Sequence, residues 1–537
     1  MKKVNKMFKG KKFKLKKVYL HPVATYLLLS LIIIVVSGIL SLFNFQTTYN
    51  IVDSATMKLE QVTATVTNLF SFDGFKYIVS NATKNFMGFA PLSMYLLAAV
   101  GLAVCESSGF LDVLFKKVFA KMNNKFITFL IILVATISTL INEIGFVILI
   151  PIAAIIFKAK KRNPMAGVCA AFAGVAFGYG TTIFIGSHEV AMIPYTTTAS
   201  RLIDASFHVS LSSNLYIMMV TSLVLSIVGM IIIEKIIVPK LGRYREVIEY
   251  DETSELEIID EIDAEQEILS NDYKEKRGFK WACIVGIAFI VFFIYSVIPG
   301  LPFSGLLLDN SQDTYLKQIF GENSYFQDGF AFMISLLLLL VGLVYGFGSK
   351  KFKNDKDVVR ESNDAIKKYG NMILLLFVAS QFIAIFKKTN IGTIIAGILA
   401  NVLSDFSFGG IPYLVIAVII IMISDFFLTG VQAKWVIFSP VIVPVLMQTN
   451  IAPQFVQFVM RGIDSMTNGI TPFYAYFVLF IGYLNIYNLR KEKPYTITEA
   501  IKLMLPYFVI ISFTWLLLLI GWYIIGLPIG PGVYPNL

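Results

Sequence analysis

Gly178-Tyr-Gly-Thr-Thr182 and Thr467-Asn-Gly-Ile-Thr-Pro472 are two polar breaks, each set in an apolar stretch of this 537-residue chain. Lipid cannot satisfy the N–H and C=O groups that an unwound helix frees, so such breaks are tolerated at membrane depth only inside protein or beside a cavity. The two breaks lie in different halves of the chain. This arrangement predicts the midplane binding site of a secondary transporter.

The composition places the chain in a membrane. Hydrophobic residues make up 56% of it, charged residues make up 15%, and the mean hydropathy is +0.73. These values exclude an ordinary soluble protein. Seven apolar runs approach or exceed the length needed to cross about 30 Å of hydrocarbon. They lie near residues 23–43, 88–105, 215–233, 279–298, 329–348, 371–386 and 501–525.

Four further apolar blocks are interrupted by polar residues, glycine or proline: 126–158, 165–195, 411–447 and 455–486. The first and third are too short for two full crossings of about 20 residues each. We therefore interpret them as re-entrant hairpins that enter from opposite sides, with one tip near Asn142-Glu143 and the other from Ser424-Asp425 to Gln432. The prediction is an all-α polytopic membrane protein with about nine transmembrane helices, two opposed hairpins, two discontinuous helices and inverted repeats.

Lysine and arginine near the span ends predict the orientation. Residues 1–17 contain nine lysines, so we expect a cytoplasmic N-terminus that remains as an uncleaved anchor in the cell membrane. Lys387 and Lys388 are the main exceptions, because the same topology places them outside. The net charge of +10 is attributed to cytoplasmic loops and anionic lipid rather than to nucleic acid.

Polar and charged segments divide the chain into five parts. These are a basic N-terminus with the first scaffold helices (1–120), the first hairpin and broken helix with the next span (121–240), an acidic cytoplasmic linker (241–278), further scaffold helices (279–405), and the second hairpin and broken helix with the last span (406–537). The three cysteines have unrelated spacings. We expect neither a disulfide framework nor a metal site, and no cofactor other than a coupling ion.

Ionisable residues at membrane depth are candidates for function because each is costly to bury there. Arg461 and Asp464 lie three residues apart on the helix that leads into the second break, so both project to one face. Arg461 is predicted to bind a substrate carboxylate, and Asp464 to bind substrate, a proton or Na⁺. The alternative is a buried ion pair that only orders the helix.

Three more carboxylates are candidates for ion coupling. Glu189 follows the first break and Asp425 lies at the second hairpin tip, where desolvation favours a proton carrier. Glu143 and its neighbour Asn142 lie at the first tip. The alternative for all three carboxylates is helix capping.

Polar and aromatic residues near the breaks are candidate ligands. Thr182 and Asn468 are predicted to contact substrate, and Thr471 the coupling ion, because unwound carbonyls and helix N-termini suit small cations and anions. The alternative is that they satisfy freed backbone groups. Trp435 either stacks on an aromatic ligand or anchors the membrane interface.

Many short motifs, in order along most of the chain, resemble one transporter family. They include Asn85-Phe-Met-Gly-Phe-Ala-Pro91, Gly145-Phe-Val-Ile-Leu-Ile-Pro151, Ala433-Lys-Trp435, Arg461-Gly-Ile-Asp-Ser465, Ile470-Thr-Pro472 and Leu527-Pro-Ile-Gly-Pro-Gly532. On these motifs the chain resembles the p-aminobenzoyl-glutamate transporter (AbgT) family, within the ion-transporter superfamily. The resemblance implies a homodimer that moves p-aminobenzoyl-glutamate, related folate-pathway compounds or antimetabolites, coupled to H⁺ or Na⁺ as symporter or antiporter. It also implies functional roles for Trp435, Pro453, Arg461, Asp464 and Pro472.

Several residues depart from the family pattern. Ala176, Gly180 and Thr182 stand where relatives usually have two serines and an asparagine, and Glu189 stands where they have aspartate. Asp425 replaces the asparagine of the hairpin, which adds a negative charge. These changes leave open a carrier of a different carboxylate or amino-acid-like solute.

Other function classes fit the sequence less well. His188-Glu-Val-Ala-Met192 lacks the second histidine of a zinc hydrolase motif, and no Gly-x-Ser-x-Gly motif occurs, so we do not expect an enzyme. A channel lined by the two hairpins is the other alternative. Accumulation of solute against a gradient would distinguish a transporter from a channel.

Overall fold

The computed structural model describes residues 20–141, 143–244, 261–321, 323–367, 370–490 and 493–537. Three parts of the chain for which the sequence analysis makes predictions lie outside the described residues. They are Asn142, the basic segment 1–17, and residues 245–260 of the acidic linker.

Helices dominate the described residues, with a 3₁₀ turn at Ser138–Ile141 and a π-helical segment at Ile233–Ile237. The α-helices are α1 (Pro22–Leu42), α2 (Phe72–Met87), α3 (Ala90–Ser108), α4 (Phe110–Phe119), α5 (Asn124–Ile137), α6 (Ile144–Ala159), α7 (Pro164–Phe177), α8 (Ser187–Ser200), α9 (Leu215–Ile232), α10 (Val238–Leu241), α11 (Glu261–Tyr295), α12 (Tyr315–Phe320), α13 (Tyr325–Gly348), α14 (Asp355–Lys367), α15 (Gly370–Lys388), α16 (Ile391–Ser404), α17 (Gly410–Asp425), α18 (Val431–Gln448), α19 (Pro453–Asn468), α20 (Phe477–Ile486) and α21 (Ile497–Ile525).

The lengths of these helices confirm a polytopic membrane protein. Among the described residues, eight helical segments are long and apolar enough to cross a bilayer, or nine if the bent pair α14 and α15 forms one span. All seven predicted continuous runs lie mainly within helices. Two of the eight segments, Asn124–Ile141 and Val431–Gln448, are arms of the predicted hairpins. The opposed entry of the hairpins and the inverted repeats stay predictions.

A β-hairpin joins α1 to α2, an element that the helical prediction omitted. Strands β1 (Gln46–Val52) and β2 (Leu59–Thr65) pair antiparallel. Tyr49 and Val52 are buried, and Asn401 of α16 donates a 2.9 Å hydrogen bond to the Thr48 carbonyl. The alternation of buried and exposed residues along β1 is typical of a strand with one covered face.

Both predicted breaks are present, and their first arms form the centre of the molecule. Between α7 and α8 the chain is not helical over residues 178–186, and between α19 and α20 it is not helical over residues 469–476. Every residue of α7 and of α19 is buried. Protein therefore surrounds the helix ends at the breaks, as the rule for irregular backbone at membrane depth requires.

Candidate functional site

Side chains from neighbouring helices satisfy the backbone that the first break frees. Trp515 Nε1 donates to the Phe177 carbonyl at 3.1 Å, and Thr139 Oγ1 donates to the Thr181 carbonyl at 3.1 Å. The Gly180 N–H donates to Ser465 Oγ on α19. The first break is thus held against the helix that leads into the second break.

Arg461 and Glu189 form a buried ion pair between α19 and α8. The Arg461 guanidinium donates to the Glu189 carboxylate through Nη1, and both residues are 1% exposed. Glu189 Oε2 also accepts from the Gly186 N–H at 2.8 Å, so the helix-cap alternative holds together with ion pairing. Arg461 Nε and Nη2 have no hydrogen-bond partner among the described residues. Two donor nitrogens therefore remain for an anionic group.

Lys434 lies between two aspartates in a second buried cluster. Its Nζ forms ion pairs with Asp425 at the second hairpin tip and with Asp464 on α19, and all three side chains are fully buried. Asp464 is thus paired with Lys434, and no ion pair joins it to Arg461 among the described residues. The alternative of an Arg461–Asp464 pair is wrong.

Neighbouring side chains on and after α19 fix this Lys434 cluster. Asn468 Nδ2 donates to Asp464 Oδ2 at 2.8 Å, and Thr467 Oγ1 donates to Asp425 Oδ2 at 3.1 Å. Thr471 Oγ1 donates to the Phe426 carbonyl at 3.2 Å, which satisfies backbone freed at the hairpin tip. In this state Thr471 therefore fits its structural alternative.

Glu143 lies at the edge of a cavity of about 420 Å³. Tyr179 OH donates to Glu143 Oε1 at 2.7 Å, and the Tyr179 ring packs 4.6 Å from the His188 ring. Gln432 and its neighbours at the second hairpin tip line the same cavity. The structure thus brings both predicted hairpin tips and the first break to one cavity, whereas Arg461 and the Lys434 cluster do not line it.

The remaining candidates are placed around these groups. Trp435 is fully buried and its Nε1 donates to Thr196 Oγ1 at 2.9 Å, so it is not exposed at the interface as an anchor would be. Thr182 Oγ1 is buried and has no partner among the described residues. Pro453 begins α19, and the Pro472 carbonyl in the second break lies 3.5 Å from Tyr26 OH.

Lys434 is the residue that the sequence analysis missed. It lies inside an apolar block, so the rule that selected the other ionisable residues at membrane depth also applies to it. Three buried carboxylates, of Glu189, Asp425 and Asp464, and the half-buried Glu143 lie with two buried cations, Arg461 and Lys434. If all six side chains are ionised, their formal charges sum to −2. Bound cations or protons would neutralise this charge and so lower the cost of burying it.

The packing of α7 against the first hairpin depends on Gly174. A Cβ at this position would lie 2.6 Å from the Ala135 Cβ and 2.8 Å from the Ile132 carbonyl oxygen. We expect Gly174→Ala to destabilise the protein by about 1–3 kcal/mol, because helix α7 must move away from α5. Thermal unfolding of the purified protein in detergent measures this effect.

Gly521→Ala is the matched control for Gly174→Ala. Gly521 also lies within a helix, α21, but a Cβ there meets no atom within 4 Å. The control should unfold at or slightly above the temperature of the unsubstituted protein, since alanine favours helix by about 1 kcal/mol over glycine. Equal unfolding temperatures for the two variants would contradict the close contact of α7 with α5.

Comparisons with known proteins match nearly the whole chain. The model described as "AbgT putative transporter family" matches residues 15–537. The p-aminobenzoyl-glutamate transport protein of Escherichia coli (strain K12) is 30% identical over 517 residues, which cover 96% of this chain and 94% of that protein.

Two solved structures also match along most of their length. The YdaH transporter of Alcanivorax borkumensis is 26% identical with a TM-score of 0.45, and covers 95% of this chain and 100% of its own. MtrF of Neisseria gonorrhoeae, described as illuminating a class of antimetabolite efflux pumps, is 29% identical with a TM-score of 0.46, and covers 97% and 98%. The family model and the curated relative decide the assignment: the chain belongs to the AbgT family of transporters.

Proposed function

We propose that this protein is a secondary active transporter of small organic anions, with p-aminobenzoyl-glutamate as the first candidate substrate. The observation that most directly supports an anionic substrate is the buried guanidinium of Arg461, whose Nε and Nη2 lack partners among the described residues. The substrate proposal is supported by the 30% identity to a p-aminobenzoyl-glutamate transport protein over 94% of its length. The substituted positions Thr182, Glu189 and Asp425 keep a different carboxylate solute as the alternative.

The chemistry of the cavity and of the adjacent charges suits such a substrate. The cavity is lined by the aromatic side chains of Tyr179, His188 and Tyr195 and by the polar side chain of Gln432. An aromatic ring of the substrate can pack on these aromatic side chains, and an amide of the substrate can form hydrogen bonds with Gln432. Arg461 does not line the cavity, but it pairs with Glu189, the residue that follows the cavity-lining His188. A carboxylate that displaces or joins Glu189 would therefore meet the unpartnered Nε and Nη2 of Arg461.

The four carboxylates carry two more negative charges than the two nearby cations can balance. We propose that H⁺ or Na⁺ binds where these two surplus charges lie. In the Lys434 cluster two aspartates share one ammonium, which leaves one negative charge. Among the described side chains, Glu143 is hydrogen-bonded only to the neutral Tyr179, so its carboxylate is the second surplus negative charge. Neutralising these charges would favour the closed, occupied centre and thereby link ion binding to transport.

Movement is proposed to follow alternating access of the hairpins and broken helices against the surrounding helices. With a cytoplasmic N-terminus, the β-hairpin that follows α1 lies on the other side of the membrane, and its turn residues Ser54 and Met57 line the cavity, so we propose that the cavity faces away from the cytoplasm. Location in the cell membrane, this orientation and the homodimer are parts of the same proposal. The direction of the driving gradient in the assay distinguishes uptake from export.

The test is transport of labelled p-aminobenzoyl-glutamate into proteoliposomes under an imposed Na⁺ or H⁺ gradient. We expect accumulation above the external concentration under one of these gradients. Asp425→Asn removes the surplus charge of the Lys434 cluster, so this variant should bind substrate but lose most of the gradient-driven accumulation. Exchange of internal for external substrate, which needs no net ion movement, is the matched measurement on the same vesicles.

Two outcomes would decide against parts of this proposal. No accumulation by a folded protein under either gradient and either polarity would exclude this substrate, and the search would move to other carboxylates. Unchanged gradient dependence in Asp425→Asn would show that the coupling ion binds elsewhere, with Glu143 as the next position to test.

A further inference from the structure

A second cavity lies at the ends of four helices, α7, α10, α20 and α21, and none of the residues that line the first cavity or form the buried charge clusters lines it. It measures about 700 Å³ and is lined by residues at the start of α7, at the end of α10 and just after it, between α20 and α21, and in the first turns of α21. Its size falls in the roughly 300–1,000 Å³ range of small-molecule sites. Nothing in the proposed transport mechanism uses it.

Five cations line this cavity: Lys240, Arg243, Arg490, Lys493 and Lys502. They come from two separate segments of the chain, so folding rather than sequence proximity brings them together. Lys240 Nζ donates to the Lys502 carbonyl at 2.9 Å, which joins the two sides of the cavity. The convergence exceeds what the general excess of cytoplasmic lysine and arginine requires, because that excess needs no shared cavity.

One carboxylate lines the cavity, and it has another role. Glu499 Oε2 accepts from the Thr496 N–H at 3.1 Å and from Thr496 Oγ1 at 3.3 Å, in the capping box that begins α21. Five cations against this one carboxylate leave a formal charge of +4. Among the described residues, no carboxylate forms an ion pair with any of the five.

We propose that this basic cavity binds a group with two or more phosphate charges. Two arginines offer planar forks that match phosphate oxygens, and three lysines offer point charges around them. The cavity lies where the candidate span Leu215–Leu241 ends and the candidate span Ile497–Ile525 begins, and lipid headgroups are expected at the ends of spans. Tyr244 and Tyr495 line it, as aromatic residues at a membrane interface do. An acidic phospholipid headgroup and a soluble polyphosphate share this chemistry.

The experiment measures binding to the purified full-length protein in detergent. The lipid probe is cardiolipin, whose headgroup has two phosphates, with zwitterionic phosphatidylcholine as its control, and native mass spectrometry counts the bound lipid. The soluble probe is inorganic pyrophosphate, added as a competitor. If cardiolipin binds and pyrophosphate does not displace it, the ligand is a lipid headgroup. If pyrophosphate displaces cardiolipin, the ligand is a soluble phosphate compound.

Arg243→Gln with Arg490→Gln is the test variant, and Lys353→Gln with Lys356→Gln is the matched control. Each pair removes two exposed cations, but the control pair, around the start of α14, does not line the cavity. Each basic residue at an anionic surface contributes roughly fivefold to binding, so the test variant should bind its probe about 30-fold more weakly. The control should bind like the unsubstituted protein.

Two results would overturn the proposal, and neither depends on transport. Equal weakening in the two variants would mean that only the overall surface charge matters. If the unsubstituted protein shows no preference for cardiolipin over phosphatidylcholine and does not bind pyrophosphate, the cavity has no such ligand. The second result needs no variant, so a folding defect cannot obscure it.

Discussion

Arg461→Ala is expected to abolish accumulation of substrate in proteoliposomes, with a loss of at least about 100-fold. Arg461 is 1% exposed and is the ion-pair partner of Glu189, so its removal leaves a buried carboxylate without a cation. Breaking a buried pair in this way costs about 3–5 kcal/mol. The same change removes the two guanidinium nitrogens that lack partners and are proposed to bind the substrate carboxylate.

Two further variants separate the structural effect of Arg461 from its effect on substrate binding. Arg461→Ala combined with Glu189→Ala removes both charges, so the protein should fold well but still fail to transport. Arg461→Lys keeps the charge but loses the fork, and should retain folding while raising the KM for substrate. Transport by the double variant at the unsubstituted rate would remove Arg461 from the substrate site. Unfolding temperature and substrate binding, measured on the same preparations, keep the two effects distinct.

Hydropathy and polar interruptions are sufficient to predict a helical polytopic membrane protein with two broken helices. The breaks at Gly178 and Thr467 were visible because glycine, threonine and asparagine are out of place in a continuous membrane helix. In the structure, α7 ends at Phe177 and α19 ends at Asn468. These are local properties of the chain, which is why the sequence alone indicated them.

The partners of the charged residues were not predictable in the same way. Spacing suggested that Arg461 faces Asp464, three residues away, but its partner Glu189 is 272 residues distant. Asp464 instead pairs with Lys434, 30 residues away on α18. Pairings of this kind depend on how helices pack, and helix periodicity gives only the face on which a residue lies.

The β-hairpin shows a different limit. Strands β1 and β2 are short and lie between two helices of a strongly apolar chain, so the period-two pattern of Gln46–Val52 was less conspicuous than the spans around it. Its turn residues Ser54 and Met57 line the 420 Å³ cavity because the hairpin packs on α16 and α18. No property of residues 46–65 taken alone indicates that contact.

Lys434→Met is expected to be as damaging as Arg461→Ala, for a related reason. The change keeps most of the side-chain volume but leaves the carboxylates of Asp425 and Asp464 together, fully buried and without a cation. The formal charge of the cluster changes from −1 to −2. Loss of the buried partner costs about 3–5 kcal/mol, so we expect little folded protein and no measurable transport. Yield of monodisperse protein and its unfolding temperature provide the measurement.

Adding Asp425→Asn to Lys434→Met tests whether charge balance is the cause. The double variant returns the cluster to a charge of −1, and the asparagine can still accept from Thr467 Oγ1 as Asp425 does. Folded yield should therefore recover in part, whereas Lys353→Met, at an exposed position, should change nothing. If the double variant is no more stable than Lys434→Met, the lysine acts through its packing and not through its charge. Recovery of folding without recovery of gradient-driven transport would instead show that Lys434 and Asp425 have a role in transport beyond holding the hairpin tip against α19.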